Sequence, residues 1–555
     1  MDIISLLNSK KYLKNSVSIN ESSYTTEFEL RNGDIIPLQL YFSDEFPYKL
    51  PNIWIDMSKQ AYIPVKPHIT SNGYICYLDK EGVVWNDTPS ITIDYVFERV
   101  EKVLFDKIKE KEFHREFIHY FASSKGCKYS ISLVDNVSCV KEIKLIVNKN
   151  GSPMLFYDTS VNNLSQIKKE SNIESNQVCN GIYIPLEKTL DIYVPNSHKF
   201  WSSEEIAELL NRSCSTETID TINGLTKVRN NYYYLLNIPL ITGESVLIGL
   251  WYYKLVDKNI IKGVPILNNQ SMYDIRPIVP IRIDDERLLK RGGAIINGKE
   301  SNILLIGCGS VGSDLLFLLA RSGYKKITIV DADKLDVANT YRHFLGYNKS
   351  STFLPKVDLL KTELEERYRG LKVNSINKDI FNALKTGEVE LEKFNLIICA
   401  IGDVNQERLL NKYIIKTNTP AIFTWVEAYG IGGHALLINH DSKGCYNCYI
   451  NDDLTNKINF SGKSNRPFVN NFDGCLGTFT KYGSMDSMQT ANIAGRLAME
   501  LLQNKVEGNK LVSWKGYSQE FIDNGYTLSN SYYDFNAGIG ERHIDISNGC
   551  KVCNG

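Results

Sequence analysis

A multidomain chain is predicted: α+β at its N-terminus, β-rich in the middle, and α/β with a doubly wound parallel sheet at its C-terminus. Three observations predict this. Residues 23–56 carry three strand-like runs separated by turn residues. Residues 126–285 are crowded with β-branched and aromatic runs. From residue 286 onward strands and helices alternate, opening with "NILLIGCGSVGSD". The chain has 555 residues, enough for roughly three or four domains of about 150 residues each. The boundaries read from these changes of texture are 1–125, 126–285 and 286–555.

In the first segment, "SYTTEFEL", "IIPLQLYF" and "NIWID" are separated by Asn32, Gly33 and Asp34 and then by Pro47 and Pro51, the pattern of an antiparallel meander. After Trp85 comes "ITIDYVFERVEKVLFDKIKEKEFHREFIHYF", which sets Val96, Phe97, Val100, Val103 and Leu104 on one helical face. The middle segment, with "KEIKLIV", "DIYVPN" and "SVLIGLWYYKLV", holds no catalytic constellation and reads as a connecting domain that spaces or docks its neighbours. In the last segment the order is "NILLIG", a helix to Gly323, "KITIVDAD", a helix through Lys356, "NLIICAIGD", a further helix and "PAIFTWVEAYG". That alternation predicts a parallel sheet with helices on both faces. Residues 451–474, "NDDLTNKINFSGKSNRPFVNNFDG", are polar enough to predict a long mobile loop.

Lysine and arginine together number 63 against 64 acidic residues, a net charge of −1. No long-range field therefore favours nucleic acid or an anionic membrane as partner. In "MDIISLLNSKKYLKN" the lysines follow the short apolar run instead of preceding it, and no cleavage pattern comes after. No run of about 18 apolar residues occurs, so the expected location is the cytoplasm, with no membrane span. Twelve cysteines in such a chain predict reduced core thiols, metal ligands or nucleophiles.

In a strand–turn–helix context, Gly307 permits the tight turn, Gly309 lets backbone approach phosphate, and Gly312 lets the helix sit close to the strand. Asp331 ends the next strand 19 residues on (331 − 312), well placed for a ribose. These features fit a dinucleotide enzyme as well as an ATP enzyme. Polar residues further along the chain separate the two. "DADKLDVANTYRHFLG" supplies Asn339 and Arg342, "FLPKVDLL" supplies Lys356, and "AIGDVNQERLLN" sets Asp403 at the end of the third strand. Cations of this kind suit a triphosphate, and a strand-end carboxylate suits Mg²⁺. Hydride transfer has no need of this set.

"CYNC" (Cys445, Cys448) and "CKVC" (Cys550, Cys553) have the spacing at which both thiolates of a turn reach one tetrahedral Zn²⁺. One ion shared by the two pairs would pin the extreme C-terminus to its domain. Cys308, in the glycine loop, and Cys399, in a strand, read as packing.

On these motifs, residues 286–555 resemble the Rossmann-like adenylation domain (ThiF type) of ubiquitin-activating enzymes and of the bacterial sulfur-carrier activators. The resemblance implies that Asp331 binds ribose, that Arg342 and Lys356 bind phosphates, and that Asp403, paired in family order with Arg408, serves Mg²⁺. It also implies that Arg287, in "ERLLKRGG", reaches into a neighbouring subunit's site, that the four cysteines hold zinc, and that Cys475, in "NNFDGCLGTFTKYG", receives the activated carboxylate as a thioester. The order of strands, a Pro-His segment, "GYIC" and then a tryptophan followed by "TPS" makes residues 1–120 resemble the ubiquitin-conjugating fold, with Cys76 as the second thioester carrier. Where that family has His-Pro-Asn, this chain has Lys66, Pro67 and His68; the oxyanion-steadying asparagine is missing, and a His68 N–H can meet the same charge.

The domain order resembles the activating–conjugating fusion enzyme of type II CBASS antiphage systems. That resemblance implies a homodimer that uses ATP, Mg²⁺ and Zn²⁺. It further implies a donor with a flexible C-terminal tail, a cGAS-like cyclic-nucleotide synthase, joined to a target lysine. The alternatives are a sulfur-carrier activator with a non-catalytic N-terminal domain, a nicotinamide oxidoreductase, and an adaptor.

Overall fold

The computed structural model describes residues 2–59, 67–70, 72–78, 82–105, 116–159, 161, 164–189, 193–196, 199–227, 231–254, 264–267, 273–294, 300–350, 354–368, 370–451, 453, 455–471, 478–546 and 550–553. The chain divides into two compact units, Met1–Asp284 and Asp285–Gly555.

The first unit opens with the helix Ile3–Asn8, whose N-cap Asp2 accepts from the Ser5 N–H. A four-stranded antiparallel sheet comes next, formed in chain order by β1 (Leu13–Ser18), β2 (Ser23–Glu29), β3 (Ile35–Tyr41) and β4 (Asn52–Ile55). The three runs legible in the sequence are β2 to β4. In β1 only Leu13 is buried, so the period-two pattern that would announce a strand is absent. The helix Pro89–Phe105 lays Ile93, Val96, Phe97, Val100 and Leu104 into one core with Phe28, Leu38, Leu40 and Ile53. Each such side chain contributes about 1.5–3 kcal/mol on burial.

The rest of this unit is a closed seven-stranded barrel: β5 (Lys128–Ser132), β6 (Lys141–Val147), β7 (Pro153–Tyr157), β8 (Gln177–Pro185), β9 (Asn231–Pro239), β10 (Ser245–Lys254) and β11 (Tyr273–Arg282), joined around the ring as β10-β11-β5-β7-β6-β8-β9. Alternation along β9 explains why the sequence here is apolar on both faces. Tyr233 and Leu235 join one core with Ile143, Phe156 and Trp251. Tyr232, Tyr234 and Leu236 join another, with Ile206 and Leu210 of the helix Ser203–Ser213 and Phe117 and Phe121 of the helix Phe117–Ala122.

The second unit holds an eight-stranded sheet in the order β14-β13-β12-β15-β16-β17-β20-β21. The strands β12 (Asn302–Ile306), β13 (Lys326–Val330), β14 (Lys372–Ile376), β15 (Leu396–Cys399) and β16 (Ala421–Val426) are parallel. Along β12, Ile303 and Leu305 face the helices Ser310–Arg321, Lys356–Arg367 and Ser484–Leu502, while Leu304 and Ile306 face the helices Ile380–Lys385 and Val404–Ile414. The sheet is thus covered on both sides, as parallel sheets require. The chain is multidomain, α+β and α/β.

Three features differ from the sequence reading. The strands β17 (Gly432–Ile438), β20 (Lys510–Lys515) and β21 (Ile539–Arg542) extend the sheet antiparallel. Between them lies a two-residue ribbon of β18 (Asn470–Asn471) and β19 (Thr478–Phe479). The helix expected to run through Lys356 begins there instead, because Pro355 has no N–H to donate inside a helix but is well suited just before one. Within the polar stretch 451–474, Ile458 and Phe460 are fully buried, and the backbone N–H groups of Phe460 and Ser461 donate to Glu427 at 2.5 and 2.9 Å. That part is pinned, not mobile. Glu427 is itself buried and bonded to buried His434 at 2.8 Å. Burial works to raise its carboxyl, but the bonds from His434, Ser461 and Phe460 hold it below the ordinary range. Among the described residues no helix is long and apolar enough to cross a membrane.

Candidate active site

The glycine turn after β12 is built by close approach. Gly307 has φ +89°, and a Cβ there would lie 2.6 Å from the Ala400 carbonyl oxygen. A Cβ on Gly312 would lie 1.9 Å from the Gly307 carbonyl oxygen. A Cβ on Gly309 would meet nothing within 4 Å, because Gly309 borders a cavity of about 270 Å³. Gly309 is the N-cap of the helix Ser310–Arg321, so the unpaired N–H groups of the first turn face that cavity. Asn339, Arg342, Lys356 and Gly402 line it as well, with Trp425 from β16.

Asp331 holds the turn in place. Its Oδ2 accepts from the Cys308 N–H and its Oδ1 from the Asp333 N–H, both at 2.7 Å. Asp333 in turn pairs with Lys356 Nζ at 3.0 Å, and the Lys356 side chain is only 8% exposed. The Cys308 carbonyl accepts from His343 Nε2 at 2.9 Å, while His343 Nδ1 accepts from the Leu345 N–H. Burial pushes His343 down to about 4, so it serves as a neutral tether. Arg342 is fixed on three sides. Its Nε and Nη2 donate to Asn339 Oδ1 at 3.2 and 2.8 Å, its Nη1 donates to the Thr480 carbonyl at 3.0 Å, and its guanidinium lies 4.6 Å from the centre of the Tyr482 ring. His343, Trp425, Thr480 and Tyr482 all line the cavity, and sequence reading did not find them. A strand residue and an aromatic after a loop carry no local mark of what they will face.

Asp403 is the N-cap of the helix Val404–Ile414. Its Oδ1 accepts from the N–H groups of Asn405 and Gln406, and its Oδ2 from Gln406 Nε2 at 3.2 Å. It comes directly after Gly402 of the cavity wall. Further along this helix, Arg408 keeps a buried Nε with no acceptor among the described residues, and Glu407 is buried; burial pushes its carboxyl up to about 7. Arg287 is exposed on the helix Asp285–Arg291 and does not line the cavity. Cys308 and Cys399 are fully buried, as packing residues are.

The two cysteine pairs meet. The sulfurs of Cys445, Cys448, Cys550 and Cys553 all lie within 4.8 Å of one another, with Cys448 to Cys553 at 3.4 Å, Cys445 to Cys448 at 3.9 Å and Cys445 to Cys550 at 4.0 Å. Tetrahedral Zn²⁺ with bonds of about 2.3 Å sets its sulfurs about 3.8 Å apart, so these four thiols fit such an ion. Its part here would be to clip the segment that carries Cys550 and Cys553 to the turn Tyr446–Tyr449. Chelation, or Cys448→Ser, is expected to cost this unit about 2 kcal/mol or more and to lower its thermal midpoint by about 4–8 °C in calorimetry. An unchanged midpoint would make the cluster plain thiol packing.

In the first unit, a tight hairpin bridged at Ile69 and Ile75 brings His68 across from Cys76, whose N–H donates to the His68 carbonyl at 2.7 Å. Cys76 is exposed and its neighbour Ile75 is fully buried, so the thiol is carried outward on an anchored strand end. His68 has φ +67°, a left-handed conformation in which a β-carbon is costly. Glu116 holds it there: its Oε2 accepts from the His68 N–H at 3.0 Å and its Oε1 from Nδ1 at 2.8 Å. Burial acts to raise the Glu116 carboxyl, but the His68 bonds keep it below its ordinary range. Lys66 and Cys475 lie outside the described residues. The ribbon β18–β19 brackets the segment 472–477 that contains Cys475.

This cavity at the strand ends and this exposed cysteine hairpin stand in two domains of known type. Residues 297–511 match the ThiF family and residues 7–129 match Prokaryotic E2 family B. The chain is a fusion of an E2-like domain with an E1-like domain. It is similar over much of its length to the ATP-dependent ubiquitin transferase-like protein Cap2 of Pseudomonas aeruginosa (strain BWHPSA011 / Pa011), with 23% identity over 446 residues, 78% of this chain and 79% of that protein. Cap2 of Escherichia coli (strain TW11681) is 22% identical, with 98% of this chain and 95% of that protein covered. The NEDD8-activating enzyme E1 catalytic subunit of Schizosaccharomyces pombe is 30% identical over 164 residues, 29% of this chain and 36% of that protein.

Proposed function

We propose that this chain uses MgATP to activate the C-terminal carboxylate of a protein and carries it on two thiols, Cys475 and then Cys76, to a lysine amine. The observation that carries the reading is the convergence of a helix N-terminus, the Arg342 guanidinium and the Lys356 ammonium on one cavity, the electrostatic complement of a triphosphate. Lys356 and Arg342 bind the phosphates and stabilise charge on departing pyrophosphate. Asp331 uses two of its lone pairs on backbone and keeps others for a ribose. Asp403 would hold Mg²⁺, which screens the phosphates when bound.

The donor's carboxylate oxygen attacks the α-phosphorus and pyrophosphate leaves. The Cys475 thiolate then attacks the acyl carbon and AMP leaves. In the chain, Cys475 comes five residues before Thr480 (480 − 475), which lies on the cavity wall. The Cys76 thiolate displaces Cys475 from the acyl group, and a lysine amine displaces Cys76, leaving an isopeptide bond. His68, whose Nδ1 is anchored by Glu116, would meet the oxyanion formed at Cys76 with its other ring nitrogen, which donates an N–H only when the ring is protonated. From the domain order we further propose a cGAS-like cyclic-nucleotide synthase as donor, a role in antiphage defence in the cytoplasm, and a homodimer in which Arg287 serves the neighbouring subunit's site.

The test is a gel trap. The protein is incubated with MgATP and a donor ending in glycine or another small residue, and run with and without reductant. Cys475→Ala is expected to form no reducible adduct, and Cys76→Ala to keep one adduct but make no amide. Amide formation by Cys475→Ala would overturn the order of carriers.

A further inference from the structure

We propose that Glu407 and Tyr446 are positioning residues that couple the four-cysteine cluster to the nucleotide cavity, so that metal on the cysteines tightens nucleotide binding; this rests on the ATP reading of that cavity. Tyr446 lies between two of the cysteines and is fully buried. Its hydroxyl donates to Glu407 Oε2 at 2.6 Å. The other carboxylate oxygen, Oε1, accepts from the Gly402 N–H at 3.2 Å. Gly402 lines the cavity and is held at φ +74°. One buried carboxylate therefore joins the metal turn to the loop that the nucleotide would touch.

Two further pairs of contacts make the link stiff. One turn along the helix from Glu407, Asn411 accepts from the Tyr446 N–H at 3.3 Å and donates to Asn447 Oδ1 at 2.8 Å, so positions i and i+4 grip the cysteine turn together. The Tyr446 ring stacks on Phe423 with centres 4.4 Å apart and meets Trp425 edge-on at 6.1 Å, and Trp425 is also part of the cavity wall. A buried carboxyl that loses either hydrogen bond leaves a polar atom without water or partner, which is costly. The orientation of Tyr446 and the position of Gly402 thus depend on each other. A metal ion that fixes the Cys445–Cys448 turn fixes Tyr446, and through it the cavity floor. Coupling of this kind is reciprocal: nucleotide must tighten metal by the same factor that metal tightens nucleotide.

The experiment measures both directions on the full chain, with α,β-methylene-ATP plus Mg²⁺ as the nucleotide probe. Calorimetry compares probe affinity for zinc-loaded and chelated protein, and a colorimetric chelator tracks zinc release from loaded protein with and without the probe. The second arm never requires the metal-free protein to stay folded. At least about fivefold weaker probe binding without zinc, and slower zinc release with probe, are expected. In Tyr446→Phe, which keeps the ring and removes only the hydroxyl, and in Glu407→Gln, zinc still binds but both effects shrink below about twofold. Equal probe affinity with and without zinc and an unaltered release rate, or full coupling in Tyr446→Phe, would overturn the proposal. Failure of loaded wild-type protein to bind the probe at all would instead overturn the ATP reading and this proposal with it.

Discussion

Lys356→Met is expected to slow donor-dependent exchange between ATP and pyrophosphate by about 10²–10³-fold while moving the thermal midpoint of its unit by only a few degrees. Lys356 opens the helix Lys356–Arg367, with its N–H donating to the Asp333 carbonyl and its Nζ to the Asp333 side chain, both at 3.0 Å. Backbone and ammonium are therefore aimed by one residue, and the charge sits ready without reorganising when phosphate arrives. Methionine keeps the volume of the buried stem, and the Asp333 carboxylate left behind is largely exposed, so stability has little to lose. Exchange within about fivefold of wild type would remove Lys356 from the phosphate site.

Gly312→Ala is expected to prevent folding of the second unit, or to cost it more than about 4 kcal/mol, whereas Gly309→Ala should fold and lose nucleotide. The added methyl at 312 would overlap the Gly307 carbonyl oxygen, which is backbone and cannot rotate away. The helix would have to lift off the sheet, and an overlap of this size belongs to the exceptional class of substitutions. At 309 a methyl meets no atom and costs only the poorer cap, about 1 kcal/mol, but it projects into the space bordered by Arg342 and Lys356. Thermal unfolding and probe titration of the two proteins separate the effects. A cooperative, wild-type-like transition in Gly312→Ala would show that the close approach is not needed.

The contrast between these glycines also marks how far the sequence can be read. The motif spacing identifies all three, since a strand, a turn and a helix within a dozen residues leave few ways to arrange them. It does not say which glycine answers to the protein and which to the ligand, because that depends on Ala400 and the empty space in front of Gly309. The same limit applies elsewhere. The pairs Cys445–Cys448 and Cys550–Cys553 announce themselves by two-residue spacing, but Tyr446 between them gives no sign that its hydroxyl will reach Glu407. Ile458 and Phe460 sit in a polar stretch whose anchor, Glu427, lies about 30 residues upstream.

Local chemistry was sufficient, from the amino-acid order alone, for the domain sequence, the glycine turn, the acidic strand ends and the paired cysteines, because each needs only neighbours within a turn or two of chain. Tertiary structure alone decided that the middle segment closes into a barrel, that Thr480 and Tyr482 wall the cavity, and that a buried carboxyl bridges cluster and loop. Those outcomes arise from contacts between residues far apart along the chain, whose energies come from shared burial and paired hydrogen bonds that no short window of sequence contains.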